Sequence, residues 1–151
     1  MSNVVIADST CLIGLSKVGQ LDILRQLFTK ITVPPAVYRE VVVLGANQIG
    51  AAEIKRTHWI EIETVQNQLA VKTLQLTLGA GESEAIILAS EQLTDFLILD
   101  DRKARQAALA LALPVIGTLA VLKKAQAKGI ITNEQVIIEA LRQVGFRLPK
   151  L

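Results

Sequence analysis

Acidic residues stand where a soluble chain would not choose to put them, and their spacing is the chemistry this sequence offers. Asp8 ends the apolar run Val4-Val5-Ile6-Ala7, and Asp100-Asp101 ends the run Phe96-Leu97-Ile98-Leu99. Glu40 falls on one helical face with Val37, Val41 and Leu44, and Glu82 and Glu84 open a helix directly after Gly79-Ala80-Gly81. Carboxylates are rarely buried unless paired or bound to a metal. If the fold gathers these sites, like charges crowd and hold on to protons until a cation enters. A hard divalent ion, Mg²⁺ or Mn²⁺, suits such an all-oxygen set. Its chemistry would be polarisation of a phosphodiester oxygen.

Simpler roles compete for each acid. Asp8 before Ser9-Thr10 can cap a helix. Glu40 can pair with Arg39 or a lysine. Glu82 and Glu84 in a first turn gain roughly 0.3–1 kcal/mol from the helix dipole. One of Asp100 and Asp101 can cap the helix that follows, but capping does not account for both. Arg102, Lys103 and Arg105 come directly after the doublet. They could hold flanking phosphates, or they could be helix charges facing solvent. Other chemistries find less support. The single His58 has no motif around it, the single Cys11 excludes an internal disulfide and a thiolate cluster, and Gly79-Ala80-Gly81 lacks the spacing of a phosphate-binding loop.

The elements that must position the acids alternate. Strands are expected over 4–8, 30–33, 59–63, 96–99 and 114–116, the third of them edge-like because it reads Trp-Ile-Glu-Ile-Glu. Helices are expected over 10–18 (capped by Ser9, ended by Gly19), 20–28, 34–44 (entered through Pro34-Pro35, stopped by Gly45), 48–56, 71–78, 82–92 and 101–111. Two more follow, one capped by Thr118 and running to 128, the other capped by Thr132 with Gln135 as partner and running to 144. Such alternation predicts an α/β fold with a covered parallel sheet, whose sites form at strand carboxyl ends near a switch point. Asp8, Asp100 and Asp101 lie at such ends.

With 151 residues and no repeat or linker, a single domain over 1–151 is expected. No apolar run approaches the ~20 residues that span a bilayer. The amino-terminus lacks the pattern of a secretory signal, so no membrane association and a cytoplasmic location are expected. The net charge of +2 hides an asymmetry, because residues 1–100 carry −4 and residues 101–151 carry +6. A basic final third could face a polyanion.

The ordered set V-V-I-A-D-S-T (4–10), V-P-P-A-V-Y-R-E (33–40), G-E-S-E-A-I-I-L-A (81–89) and L-I-L-D-D-R-K-A-R (97–105) resembles the PIN-domain ribonucleases, and within them the VapC-like proteins of bacteria and archaea. The stretch 115–131 looks like a subgroup ending. The resemblance implies a three-layer α/β/α fold with a small parallel sheet of four or five strands. It implies Mg²⁺- or Mn²⁺-dependent cleavage of single-stranded RNA. It carries Asp8 over as the first metal ligand and Glu40 as the second acid. Glu84 is the third, with Glu82 competing, and Asp101 the fourth, with Asp100 competing. Many relatives are toxins silenced by a small antitoxin protein, and many form homodimers. Two other functions remain open on the residues: phosphoryl transfer through an aspartyl phosphate at Asp8, and a non-catalytic RNA- or protein-binding module with a relic site.

Overall fold

Three hydrogen-bonded residues of the first strand set the register on which the site depends. In the computed structural model, which describes residues 4–43 and 50–147, strand β1 (Val5–Ala7) pairs in parallel with β4 (Phe96–Ile98) as Val5 with Phe96, Ile6 with Leu97 and Ala7 with Ile98. On its other side β1 pairs with β2 (Ile31–Val33), which pairs with β3 (Ile60–Ile62), while β4 pairs with β5 (Val115–Ile116). The result is a five-stranded, all-parallel sheet of order β3-β2-β1-β4-β5. The chain builds outward from β1 in one direction and then, from β4, in the other. The switch point therefore lies between β1 and β4.

Nine helices occur among the described residues: α1 (Ser9–Lys17), α2 (Asp22–Phe28), α3 (Pro35–Tyr38), α4 (Ala51–Arg56), α5 (Gln68–Leu74), α6 (Ala80–Glu91), α7 (Arg102–Ala110), α8 (Thr118–Ala127) and α9 (Glu134–Gln143). They pack in two groups. Helix α9 touches α1 and α8, and α8 touches α2, whereas α6 touches α3, α5 and α7. These groups cover the sheet and complete the three-layer α/β/α arrangement. Strands β1 and β2 and the rest of β4 after Phe96 are buried and aliphatic with Thr32 the one polar interruption, as a sheet covered on both faces requires. The edge strand β3 differs. Its residues are partly or fully exposed, and Glu61 pairs with Lys30 at 3.3 Å, a charged edge that discourages further strand addition.

Several boundaries differ from the sequence reading, each for a local reason. Helix α1 begins at Ser9, because Asp8 occupies the cap position and the Ser9 hydroxyl is engaged elsewhere. The helix expected over 34–44 is regular only over Pro35–Tyr38 and then widens into a π turn, Arg39–Val43. Leu44, Gly45 and Gln48 lie outside the described residues. Helix α5 starts three residues early, at Gln68, because the Asn67 side chain accepts the Ala70 N–H. Helix α6 starts at Ala80, not at residue 82, with Gly79 as its cap. Thr118 is the first residue of α8 rather than its cap, and Asn133, not Thr132, caps α9 by accepting the Gln135 N–H. No described helix is long and apolar enough to cross a membrane.

The central pairing carries the fold. Leu97 is fully buried in β4 between Ile6 and Val115, so Leu97→Ala should cost about 2–5 kcal/mol in chemical denaturation, through lost burial and the cavity left behind.

Candidate functional site

The β1–β4 ladder continues one residue past the strand, since the Asp8 N–H donates to the Ile98 carbonyl at 3.1 Å. Leu99 likewise donates to Ile116 at 3.0 Å. Asp8 and Asp100 therefore emerge from neighbouring strands at the switch point. Asp8 is only 3% exposed. Burial, with Glu82, Glu40 and Asp100 facing it, pushes its carboxyl up to about 7, against a lowering pull from the Ser9 N–H.

Glu40 reaches this centre from the π turn. Such turns break the regular helical register and recur at functional sites. The Ser9 hydroxyl donates to Glu40 Oε2 at 3.0 Å and lies 3.5 Å from Asp8 Oδ1, so a single hydroxyl stands between two carboxylates. The Glu40 carboxylate lies against the first turn of α6, in the space a side chain on Gly81 would need. A Cβ built on Gly81 would overlap Glu40 Oε1 and lie 2.9 Å from its Cδ. Glycine two residues into a helix is disfavoured by propensity. Here it lets an acid approach the positive end of the helix dipole.

The structure separates the two α6 acids. Residues two apart on a helix point about 200° from one another, so only one can face the groove. That one is Glu82. Its Oε1 accepts the Gly79 N–H at 3.2 Å, and its carboxyl meets Asp8, Glu40 and Asp101. Burial raises its pKa most, with charge from Asp101 and Glu40 adding to it, against the lowering Gly79 bond. Glu84, expected as the third acid, points to the other side and accepts the Ala36 N–H at 2.9 Å. Pro34 and Pro35 have no N–H, so Ala36 offers the first donor of α3, and Glu84 caps that helix from a distance.

The doublet after β4 also divides its work, and capping touches both members after all. Asp101, exposed, caps α7 by accepting the Ala104 N–H at 3.0 Å. Asp100 reaches across to α8, accepting the Thr118 N–H at 2.8 Å and the Thr118 hydroxyl at 2.6 Å. Burial raises its pKa, with the Thr118 bonds and Arg105 pulling the other way. Arg105, expected to be available to phosphate, is turned inward. Its Nη1 donates to the Leu99 carbonyl at 2.9 Å. Gly117 keeps room for this arrangement, because a Cβ there would lie 2.8 Å from Arg105 Nη1 and 3.2 Å from Asp100 Oδ1. Arg102 and Lys103 are exposed at the start of α7, and His58 is exposed away from these contacts. Cys11 is buried nearby, and burial beside Asp100 and Asp8 pushes its thiol far up, which makes it inert.

Asp8, Glu40, Glu82, Asp100 and Asp101 are thus linked in one acidic ring, with Glu84 outside it. Their chemistry fits a hard divalent ion: all donors are oxygens, the central carboxyl is buried among like charges, and Gly81 clears space for Glu40. Among the described residues, no three His, Cys, Asp or Glu side chains are drawn together into a ready-made ligand set. The glycines were not legible as site residues. Their signal was a glycine inside a helix start and one directly before a helix.

A family model described as a PIN domain matches residues 4–151. Among solved structures, the chain is similar to a PilT N-terminus domain protein of the hyperthermophilic archaeon Sulfolobus solfataricus P2. The match has 19% identity and a TM-score of 0.55 and covers 81% of this chain and 93% of that one. That likeness bears on the fold. No curated protein matches the chain.

Two outcomes follow from the geometry. Gly81→Ala should leave the melting temperature near that of the wild type, since alanine favours the helix. The same change should weaken Mn²⁺ binding in calorimetry about 10–100-fold by displacing Glu40, as changes to supporting groups around metal sites do. The second outcome concerns pH. Asp8 titrates near 3.8 when unfolded and at about 7 when folded. Between those values the ion-free folded state keeps a proton that the unfolded chain has released. Its stability should therefore fall as pH rises from about 4 to 7. In ion-free buffer Asp8→Asn should flatten this fall, by on the order of 3 kcal/mol in urea unfolding at pH 8 compared with pH 4. Parallel pH profiles for the two proteins would contradict the assignment.

Proposed function

Because the chain belongs to the PIN-domain family, whose members are generally nucleases and typically use divalent metals, we propose that it is a metal-dependent endoribonuclease that cleaves single-stranded RNA, with residues 1–151 as one catalytic domain. The observation that supports this most is the buried Asp8 carboxyl at the β1–β4 switch point, ringed by Glu40, Glu82 and Asp100.

Asp8, Glu40 and Glu82 would hold the ion, Mg²⁺ or Mn²⁺, with Asp100 or Asp101 completing the set. The ion would supply charge neutralisation and Lewis acidity at the scissile phosphodiester. The chain's own residues do the positioning. Ser9 orients Glu40 by its 3.0 Å hydrogen bond, and Thr118 fixes both oxygens of Asp100. Arg102 and Lys103, exposed beside Asp101, are suited to flanking phosphates. Glu84 supports the site through α3 without entering it.

We further read the protein as the toxin of a VapC-like toxin–antitoxin pair, acting in the cytoplasm as a homodimer and restrained by a small antitoxin protein. The basis is the ordered sequence motifs. The helix-capping bonds of Asp100 and Asp101 favour a second reading, a non-catalytic RNA- or protein-binding module with a relic site.

Cleavage of a labelled single-stranded RNA with Mn²⁺ separates these. Asp8→Asn and Glu82→Gln should each lose at least ~100-fold in rate, in line with removal of a charge-stabilising group from a reacting centre. Glu84→Gln should retain most of the rate and instead lose about 1 kcal/mol of stability, because the amide oxygen still accepts the Ala36 N–H but without the carboxylate's charge. Induced expression should arrest growth for the wild type and not for Asp8→Asn. Equal cleavage by wild type and Asp8→Asn would sink the nuclease.

A further inference from the structure

A cleft of about 400 Å³ opens beside the acidic ring, between α1, the loop after β4, and the segment that follows α9. Its lining is chemically mixed in a particular way. Asp100 and Asp101 supply one part, Ile13 and Phe146 an apolar part, and Lys17 and Arg147 positive charge. Neither Lys17 nor Arg147 has a carboxylate partner within 4 Å among the described residues. Phe146 is firmly placed. Its N–H donates to the Leu141 carbonyl at 2.9 Å, after a turn at Gly145 with φ +87°. One edge of its ring presses on α1 where only glycine leaves room, since a Cβ on Gly14 would lie 2.5 Å from Phe146 Cδ2 and 2.7 Å from Cε2. The ring is half-buried, so part of it remains available to the cleft.

A planar apolar surface, cations unpaired among the described residues and a neighbouring acidic centre together select an occupant. A peptide rich in one sign of charge would meet like charge at Asp100 and Asp101 or at Lys17 and Arg147, and would leave the apolar part to be filled by a side chain. A nucleotide meets all three parts. Its base is neutral and stacks on an aromatic ring, its phosphate is held by cations, and the next phosphodiester can extend toward the acids once a divalent ion neutralises them. The volume lies within the range of small-ligand pockets and accommodates one such unit.

We propose that this cleft is a nucleotide subsite. Phe146 and Ile13 receive the base of one RNA nucleotide and Lys17 and Arg147 its phosphate, so that the adjoining phosphodiester lies over the acidic ring. The last clause rests on the nuclease reading; the affinity of the cleft for a nucleotide does not.

The test uses the full chain without divalent ions, titrated with nucleoside 5′-monophosphates and followed by amide NMR. The expected result is saturable shifts at Gly14 and Gly145. Phe146→Leu keeps an apolar group against Gly14 and should weaken binding at least about fivefold, the lower end of base–aromatic stacking. Arg147→Ala should weaken it too, and added salt should weaken the wild type. Absence of saturable shifts at these amides, or shifts unaffected by Phe146→Leu, overturns the subsite. Tighter binding of an acidic or apolar peptide at the same amides also overturns it, in favour of a protein-docking groove. RNA cleavage with an unchanged KM in Phe146→Leu sinks the subsite and leaves the nuclease standing. Saturable nucleotide binding with no cleavage under Mn²⁺ does the reverse.

Discussion

The structure depends on holding a carboxyl in a place where it cannot relax. Asp8 is fixed by the β1–β4 register and by its own N–H bond to Ile98, so it cannot swing its backbone away from the acids around it. Without the aliphatic core behind it, mutual repulsion and desolvation would open the switch point. Val5, Ile6, Leu97 and Ile98 are all essentially inaccessible to solvent, and their burial offsets a local arrangement that is unfavourable by itself. The buried acid raises its own pKa instead of moving. A carboxyl held this way is neutral while it keeps its proton and needs a counter-charge once it has lost it.

Helix termini share that load. In a parallel α/β sheet each helix that leaves a strand starts near the strand's carboxyl end, so the positive ends of several dipoles gather where the acids are. Five of the acids touch one of them. Glu40 lies against the first turn of α6, Glu82 bonds back to Gly79, Asp101 caps α7, Asp100 binds the start of α8, and Glu84 binds the start of α3. Capping and function are therefore not rival explanations here. A carboxylate anchored by one oxygen to a helix N–H has a fixed direction and a second oxygen left over. Asp100 is the exception, because Thr118 takes both of its oxygens, which suits it to positioning more than to ligation.

This overlap explains what the sequence could and could not show. The parallel sheet was legible because its strands are short apolar runs closed by acids, and the edge strand because Glu61 and Glu63 alternate with isoleucines. The choice between Glu82 and Glu84 was not legible, since it turns on where α6 begins. Reading the helix from residue 82 put both acids in its first turn, whereas the Gly79 cap makes Glu82 the third residue and moves Glu84 to the opposite side. Thr118 and Thr132 misled for a related reason: a hydroxyl residue beside Gly117 or Asn133 competes for the cap, and tertiary partners decide. The roles of Gly14, Gly81 and Gly117 depend on side chains 132, 41 and 12–17 residues away in the chain, which no local pattern encodes.

The charge asymmetry of the sequence acquires a location through the same geometry. The acids that make residues 1–100 negative include Asp8, Glu40 and Glu82, all at the carboxyl end of the sheet. Part of the positive final third, Arg102, Lys103 and Arg147, returns to that same end through the start of α7 and the segment after α9. A polyanion approaching the sheet edge thus meets cations flanking an acidic centre. Flanking charges attract and orient it over distances of about a Debye length, while the centre itself repels it. Attraction at the margins and repulsion in the middle cannot both be satisfied by an anion alone. Under the proposed nuclease reading, a cation in the acidic ring would reconcile the two, and phosphates could then bridge it to Lys103 or Arg147.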